Sequence, residues 1–328
     1  MNDLPLYFRE GSKDEPLLVF IHGLGMSGDF WLRPENCRVI GGSYPLTVFL
    51  SDPPDPNTEP PEGRFSTGRP PERLYTPVRE LEDEGYPVVV YSQKRPLAEG
   101  EVLIDELIGI LDSIGVGRKR ILFIGHSRGG LIARGAIQSG RFRVSGLITI
   151  GTPHAGSRIA RVGDTLYGLG EHFLKLLGKT EEGTVRDAIR RVIQLVTSKA
   201  MKELLPDSEF LNSLNSEALK GIPLLTIGGT EPTLFTVYKW HKNCLSKNES
   251  SLIYYKEVFS FPDIIGRILP ERLLPDEWRD LKGDGLVSVE SAHCLDAPYR
   301  ETFYLNHLRL VYDEGVRRVI KRFVEENG

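Results

Sequence analysis

A serine between two closely spaced glycines is the first feature of the sequence that could carry chemistry. Residues 125–129 read GHSRG, between the apolar run ILFI and the amphipathic run LIARGAIQ. Glycines two positions before and after Ser127 permit a turn sharp enough to lift its hydroxyl above a sheet. The alternative is an ordinary strand-to-helix turn with Ser127 as the helix N-cap. The order strand, turn, helix favours a nucleophile elbow.

A serine hydroxyl needs a base to accept its proton and an acid to orient that base. In a strand–elbow–helix arrangement the acid and then the histidine follow the serine along the chain. His307 lies after a short apolar run and before a helical tail, and His293 is the weaker alternative. Two carboxylates could orient the base: Asp284, in an Asp-Gly turn, and Glu231, directly after the run PLLTIGGT.

The stretch FIHGLGMSGDF (20–30) has two interpretations. Its G-x-G-x-x-G spacing is that of a dinucleotide site, which needs a helix after the third glycine and an acidic residue about 20 positions further on. Asp52 is at a suitable spacing, but residues 29–45 contain two prolines and two glycines, which leave little room for the helix. The alternative, a loop that begins at His22 and turns a backbone amide towards an oxyanion, is favoured.

The elements that must position these residues are predicted from hydrophobic patterns. Five apolar runs rich in Val and Ile lack polar alternation, as is typical of strands buried on both faces. Helical patterns lie between several of them, at 101–114 and 131–138. Strands alternating with helices predict an α/β fold with a mostly parallel sheet flanked by helices. The five runs are 17–23, 86–93, 120–127, 145–152 and 223–230.

Three segments interrupt this alternation. The first holds eight prolines and is expected to form a long loop. The second contains two amphipathic patterns, of which one extends over 186–205. We predict one domain over 1–328, interrupted by a Pro-rich loop (51–77), a helical cap or lid (156–221) and a second insertion (231–282).

Composition narrows the possible partners. A net charge of -4 and a pI near 6.0 give no reason to expect nucleic acid or an anionic membrane. Three cysteines without C-x-x-C spacing indicate neither a zinc knuckle nor a disulfide framework. The start of the chain is charged where a signal peptide would be apolar, and no run approaches the length of a transmembrane helix. We predict a cytoplasmic chain without a transmembrane segment; secretion of a processed form and the oligomeric state stay open.

Six motifs in register resemble the α/β-hydrolase superfamily, and within it the bacterial triacylglycerol lipases and related esterases. Together they span nearly the whole chain. The combination of Thr-Pro-His, Asp-Gly-Leu-Val and Asn-His-Leu is much more specific to lipases than the elbow alone. The motifs are HGLG (22–25), GHSRGG (125–130), GTPHAGS (151–157), SEFLNSLN (208–215), GDGLVSVESA (283–292) and NHL (306–308).

The resemblance implies roles for individual residues. Ser127 would be the nucleophile and His307 the base, and the match to Asp-Gly-Leu-Val favours Asp284 over Glu231 as the acid. The oxyanion hole would consist of the backbone amides of Leu24 and Arg128. The implied reaction is ester hydrolysis through an acyl-enzyme, without a cofactor. An acyltransferase or amidase with the same triad, or a non-catalytic binding protein on this fold, are the alternatives.

The sequence departs from the family at two places. Where many bacterial lipases have a calcium-binding aspartate two residues beyond the histidine, this chain has Arg309, which argues against a calcium site. Arg128 replaces an uncharged residue and could attract a carboxylate or pair with an acidic residue of the cap. The scattered His154, His172 and His241 lack the short spacing of zinc ligands, and we predict no metal.

The predicted cap follows the strand after the elbow helix, so it is expected to lie over the same sheet edge as Ser127. Its apolar faces would line an acyl pocket for a small-molecule or lipid ester, with transient contact to a lipid interface. Candidates for the pocket wall are Phe173, Leu174, Leu177, Ile193 and Val196.

Overall fold

A computed structural model of the chain describes residues 6–12, 16–39, 44–57, 65–117, 119–159, 161, 198–214, 216–243, 252–267, 270, 272 and 274–328. Its strands are β1 (Leu6–Arg9), β2 (Leu17–Ile21), β3 (Arg38–Val39), β4 (Tyr44–Pro45), β5 (Phe65–Ser66), β6 (Val88–Tyr91), β7 (Arg120–His126), β8 (Arg143–Ile150), β9 (Leu224–Gly229), β10 (Phe235–Asn243), β11 (Leu252–Phe261) and β12 (Tyr299–Phe303). Its α-helices are α1 (Asp29–Leu32), α2 (Pro77–Asp83), α3 (Gly100–Ser113), α4 (Arg128–Gln138), α5 (Lys199–Lys202), α6 (Glu209–Ser213), α7 (Asp263–Gly266), α8 (Val289–Ala292) and α9 (Glu314–Asn327).

A seven-stranded sheet in the order β1-β6-β2-β7-β8-β9-β12 forms the centre of the molecule. Every neighbouring pair is parallel except β1 and β6 at one edge. The five apolar runs predicted as strands correspond to β2, β6, β7, β8 and β9. The predicted fold class is thereby confirmed.

The burial of β2 explains why these strands have no polar alternation. Leu18 and Phe20 belong to one hydrophobic cluster, whereas Leu17, Val19 and Ile21 belong to another on the opposite face. Successive side chains of a strand point to opposite faces, and here helices cover both. Side chains of α3 and α4 pack on one face, and those of α2 and α9 pack on the other.

The cap helix predicted over 186–205 does not continue through Ser198, where a helix begins. That residue has an extended backbone, with φ -65° and ψ 155°, and its hydroxyl accepts the backbone N–H of Met201 as the N-cap of α5. The predicted single helix is therefore wrong at this position, because a serine that satisfies an N-terminal amide begins a helix instead of continuing one. Residues 162–197 lie outside the described part of the chain.

Two of the predicted interruptions meet in a second, three-stranded sheet. The hairpin of β10 and β11 comes from the insertion 231–282, and β5 comes from the Pro-rich segment 51–77. That segment was expected to be a loop, but Phe65 and Ser66 pair with β10, and Asp52 forms an isolated bridge with Arg69. Pairing with distant partners creates these contacts, and the local sequence carries no pattern for them.

The dinucleotide interpretation fails on the length of the helix after Gly28. That helix, α1, has four residues, and Asp52 lies opposite Arg69 instead of at the end of a sheet strand. The carboxyl ends of β2, β7, β8, β9 and β12 lie along one edge of the central sheet, which is where open α/β sheets bind ligands. None of the helices in the described ranges has the length and hydropathy needed to span a bilayer.

Candidate active site

Ser127 lies between the end of β7 and the start of α4, in a backbone conformation that is rare for a residue with a side chain. Its φ is 54° and its ψ is -128°. Such conformations cost about 1–3 kcal/mol and persist only when the surroundings impose them. The Ser127 N–H donates to the Ile150 carbonyl at 2.8 Å, and the Ser127 carbonyl accepts the Gly130 N–H at 3.1 Å. Two strands and a helix therefore hold the strained turn.

The glycines around Ser127 permit close backbone packing. A Cβ on Gly125 would lie 2.5 Å from the Gly130 Cα, and a Cβ on Gly129 would lie 2.3 Å from the carbonyl oxygen of Ile21. A Cβ on Gly23 would lie 2.9 Å from that of Ser127, so the loop after β2 rests on the elbow. These approaches explain why small residues flank the serine.

Asp284 and His307 form a buried pair. The His307 Nδ1 donates to Asp284 Oδ2 at 2.8 Å, and both side chains are 1% exposed. The other carboxylate oxygen, Oδ1, accepts the N–H groups of Leu286 at 3.0 Å and Val287 at 2.7 Å. The His307 N–H also donates to the Asp284 carbonyl at 2.9 Å. With the proton on Nδ1, Nε2 of the neutral ring is left as a proton acceptor.

Two residues next to the elbow hold His307 beside it: His126, which precedes Ser127, and Gly151, which follows Ile150. A Cβ on Gly151 would lie 3.0 Å from the His307 ring, so that glycine leaves room for the imidazole. His126 donates from Nε2 to the His307 carbonyl at 3.0 Å, and the two rings are 4.7 Å apart. Burial, and then the nearby His307, lower the pKa of His126 well below its usual value, so this neighbour of the serine is neutral.

Two backbone amides near the elbow have no acceptor among the described residues. In the described part of the chain, neither the Leu24 N–H nor the Arg128 N–H donates to a carbonyl or a side chain. The Arg128 amide is the first of α4, where helical N–H groups have no intrahelical partner. Leu24 follows Gly23, which contacts the serine. Two donors that have no partner within the described ranges thus lie in the two segments that meet at Ser127.

A hydrogen-bond network fixes the loop that carries Leu24. His22 accepts the Gln93 N–H at Nε2, at 3.1 Å, and donates from Nδ1 to the Gly23 carbonyl at 2.9 Å. The Gln93 side-chain amide donates to the His22 carbonyl at 3.1 Å. Burial lowers the pKa of His22 to about 4, so the ring is neutral at pH 7 and can accept a hydrogen bond.

The side chain of Arg128 is fully buried and bonds to residues outside the elbow. Its Nη2 donates to the Ala98 carbonyl at 2.7 Å and to Glu203 Oε2 at 2.5 Å. Glu203 follows α5 and lies within the predicted cap. The sequence left two possibilities for this cation, a free carboxylate or an acidic residue of the cap, and the structure shows the second.

Comparisons with known proteins bear on the fold of the chain. The sequence profile of the palmitoyl protein thioesterase family matches residues 109–256, a little less than half of the chain. The structure of the Bacillus licheniformis lipase BlEst2 in its mature form is similar, with a TM-score of 0.51 and 15% identity over 97% of both chains. Its propeptide form gives a TM-score of 0.52 and 15% identity over 97% of this chain and 53% of that one. No curated protein matches the sequence.

The chain has the α/β-hydrolase fold. Within the described part of the chain, the alternative acid and base have hydrogen-bond partners other than Asp284 and His307. Glu231 Oε1 accepts the Thr233 N–H at 2.9 Å, and burial raises the pKa of the Glu231 carboxyl. His293 contacts the Thr226 hydroxyl at 2.7 Å and the Thr302 hydroxyl at 3.0 Å, between β9 and β12.

Arg309 joins the segment after His307 to the start of the Pro-rich segment. Its guanidinium donates to the Leu50 carbonyl at 3.0 Å, the Ser51 carbonyl at 2.7 Å and the Asp52 carboxylate at 3.0 Å. The position discussed as a possible calcium ligand therefore carries a positive charge, which pairs with the carboxylate of Asp52. Among the described residues, no group of three or more His, Cys, Asp or Glu side chains is placed to hold a metal ion.

Several residues predicted from the sequence to take part in the site lie outside the described part of the chain. Those proposed to line the acyl pocket lie outside the described residues: Phe173, Leu174, Leu177, Ile193 and Val196. The same is true of His172, whereas His154 is buried between Thr149 and Arg134, and His241 stacks on Tyr254 in the second sheet.

Sequence reasoning missed three polar residues that hold the site: Gln93, His126 and Glu203. Gln93 lies two residues after the last residue of β6, and a polar residue just beyond the carboxyl end of a buried strand is a usable signal. His126 was visible only as the variable position of the elbow motif. Glu203 had no local signal, because its partner Arg128 is 75 residues away in the sequence.

Proposed function

We propose that this chain hydrolyses carboxylic esters, with Ser127 as nucleophile, His307 as general base and Asp284 as the acid that orients it. The buried Asp284–His307 pair beside the strained Ser127 turn is the observation that supports this proposal. Neither feature stabilises a fold by itself, since the turn costs free energy and the pair places a carboxylate and an imidazole in the interior. Their coincidence at one sheet edge favours catalysis.

In the proposed acylation step, His307 Nε2 accepts the proton of the Ser127 hydroxyl as Oγ attacks the ester carbonyl carbon. The carbonyl oxygen becomes an oxyanion, which the amides of Leu24 and Arg128 stabilise. The imidazolium then donates its proton to the alkoxy oxygen as the carbon–oxygen bond breaks, and the alcohol leaves. Asp284 holds the Nδ1 proton in place throughout, which leaves Nε2 free in the neutral ring and stabilises the imidazolium when it forms.

Deacylation uses the same residues in the same order. His307 accepts a proton from water while the water oxygen attacks the acyl carbon, and the second oxyanion is bound by the same amides. The protonated ring returns the proton to Ser127 Oγ as the acid product leaves. We place the acyl chain under the predicted cap (156–221) and expect a small-molecule or lipid ester as substrate.

Thioester hydrolysis is a second candidate, favoured by the match of residues 109–256 to the palmitoyl protein thioesterase profile. The chemistry is identical up to the leaving group, which is a thiolate. A thiolate leaves more readily than an alkoxide because its conjugate acid is stronger, with a pKa near 8.5 for a cysteine thiol. A triad competent for esters is therefore competent for thioesters, and the cap decides the acyl group.

The test uses p-nitrophenyl esters of rising acyl length and matched acyl thioesters with the full chain. We expect Ser127→Ala to lower turnover on both by about 10⁶-fold if the triad acts as a unit. Ser113→Ala, at an exposed serine that ends α3, is the matched control and should leave turnover unchanged. Hydrolysis by Ser127→Ala at the unsubstituted rate would overturn the proposal. The preferred chain length and leaving group then define the substrate class.

A further inference from the structure

Arg128 combines a proposed oxyanion donor, its backbone N–H, with a buried charge, the guanidinium of its side chain. The backbone N–H of Arg128 is one of the two free amides at the elbow, whereas its side chain is 0% exposed. Only the Nη2 atom of the guanidinium has partners within the described part of the chain; Nε and Nη1 have none. Burial lowers the pKa of Arg128, and the carboxylate of Glu203 raises it. A buried cation with so few partners depends strongly on the one opposite charge it contacts.

Glu203 is itself held at a second point. Its carboxylate oxygens accept the N–H of Gly100 at 3.0 and 3.3 Å, at the first turn of the fourteen-residue helix α3. A carboxylate is favoured there by both the free amide and the helix dipole. One side chain from the cap thus bonds the elbow arginine and the start of α3 together.

The segment before α3 contacts both halves of the proposed oxyanion hole. The Ala98 carbonyl accepts from the Arg128 side chain, and the Pro96 carbonyl accepts the N–H of Gly25, the residue after Leu24, at 3.4 Å. The two amides therefore share one support, residues 96–100, which Glu203 connects to the cap.

We infer that Glu203 is a positioning residue for the oxyanion hole: through Arg128 and the start of α3 it fixes the direction of the Arg128 amide, so that stabilisation of the oxyanion depends on the docked cap. The inference rests on the proposed function. It concerns a residue that touches neither the substrate nor the reacting atoms.

The chain offers a matched control between the same two elements. Lys199 in α5 pairs with Glu99, the N-cap of α3, and their side chains are 73% and 48% exposed. This pair joins the cap to α3 as Glu203 does, but it does not contact Arg128. A general weakening of cap docking should appear in both variants, whereas loss of amide positioning should appear only at Glu203.

The experiment compares Glu203→Gln with Lys199→Gln on a short p-nitrophenyl ester. For Glu203→Gln we expect kcat to fall about 10- to 100-fold, less than the loss of a whole donor, with KM changed by no more than about threefold. The affinity for a trifluoromethyl ketone, whose adduct places an oxyanion in the hole, should fall by the same factor as kcat/KM. Lys199→Gln should keep both values within about twofold.

Each possible outcome of these measurements either supports or overturns the inference about Glu203. Unchanged kcat and inhibitor affinity in Glu203→Gln, or equal losses in both variants, would overturn the inference while the proposed function stands. If Glu203→Gln does not fold, Glu203→Asp keeps the charge and shortens the side chain; a fall in kcat at constant KM supports the inference, and full activity contradicts it. A wild-type chain that neither hydrolyses esters nor reacts with a fluorophosphonate at Ser127 overturns the proposed function and this inference with it.

Discussion

The two sides of the candidate site are built differently. On the base side, a side chain contacts a side chain: His307 donates to Asp284 at 2.8 Å. On the oxyanion side, the proposed donors are backbone amides, and side chains hold the main chain that carries them: His22 donates to the Gly23 carbonyl and Gln93 to the His22 carbonyl. The base side thus depends on which functional groups are present, whereas the oxyanion side depends on where the main chain lies. Substitutions should therefore remove a step on the base side and only displace donors on the oxyanion side.

The largest effect among substitutions that test this difference is expected for Asp284→Asn. An asparagine amide directed at Nδ1 would favour the tautomer that carries its proton on Nε2, which cannot accept the serine proton. We expect kcat to fall by about 10⁴-fold while the fold is retained. Steady-state kinetics with circular dichroism measure this. Retention of more than about a tenth of kcat would assign the acid elsewhere.

On the oxyanion side, Gly23→Ala should lower kcat by about 10²- to 10³-fold, the cost of one lost donor. The new Cβ would lie 2.9 Å from the Ser127 Cβ and 3.2 Å from His126 Nδ1, so the loop that carries the Leu24 amide must move. The matched control is Gly109→Ala in α3, where an added Cβ meets no atom within 4 Å. That variant should keep kcat, and an undiminished kcat in Gly23→Ala would contradict the account.

The His22 network predicts a pH dependence of stability. The pKa of His22 is about 4 in the folded chain, against 6.5 for an ordinary histidine, so the unfolded chain binds the proton more readily. The free energy of unfolding should be at its full value above pH 6.5 and fall as the pH drops towards 4, by about 3 kcal/mol from this residue. Urea unfolding at pH 4.5 and 7 of the unsubstituted chain and His22→Asn measures it. An equal pH dependence in both would exclude His22 as a source.

The smallest effect is expected for Glu231→Gln. Its carboxylate accepts the Thr233 N–H and does not contact His307, and a glutamine oxygen can accept the same bond. The kcat should therefore stay within about threefold of the unsubstituted value. A loss comparable to that of Asp284→Asn would mean that Glu231, and not Asp284, is the acid that orients the base.

The parts of this molecule that could be predicted from sequence are those in which the signal is local. Every residue of the run Leu17–Ile21 is buried whichever face it points to, so the strand is visible without knowledge of its partners. The elbow is equally local, because glycines at 125 and 129 and a strand before them suffice to indicate the turn. The pairing of Asp284 with His307 could be predicted from the order of the motifs along the chain. The catalytic roles of the two residues stay predictions.

Contacts between residues that are far apart in the sequence could not be predicted. Nothing near Glu203 distinguishes it from other acidic residues of the cap, and its contact with Arg128 depends on how the chain returns to the elbow 75 residues later. Strand β5 has two residues, and its pairing is supplied by Tyr238 and Lys239 in the second insertion. The helix start at Ser198 was hidden because the amphipathic pattern of the sequence continues through this residue.

The central claim is that an acyl group is transferred to Ser127 with His307 as the base. Rapid-quench kinetics with a p-nitrophenyl ester, followed by peptide mass spectrometry, test it most directly. The account predicts a transient acyl adduct on the peptide that contains Ser127, formed in the unsubstituted chain and absent in His307→Gln. An adduct on a different residue, or steady hydrolysis by a Ser127→Ala chain, would contradict it.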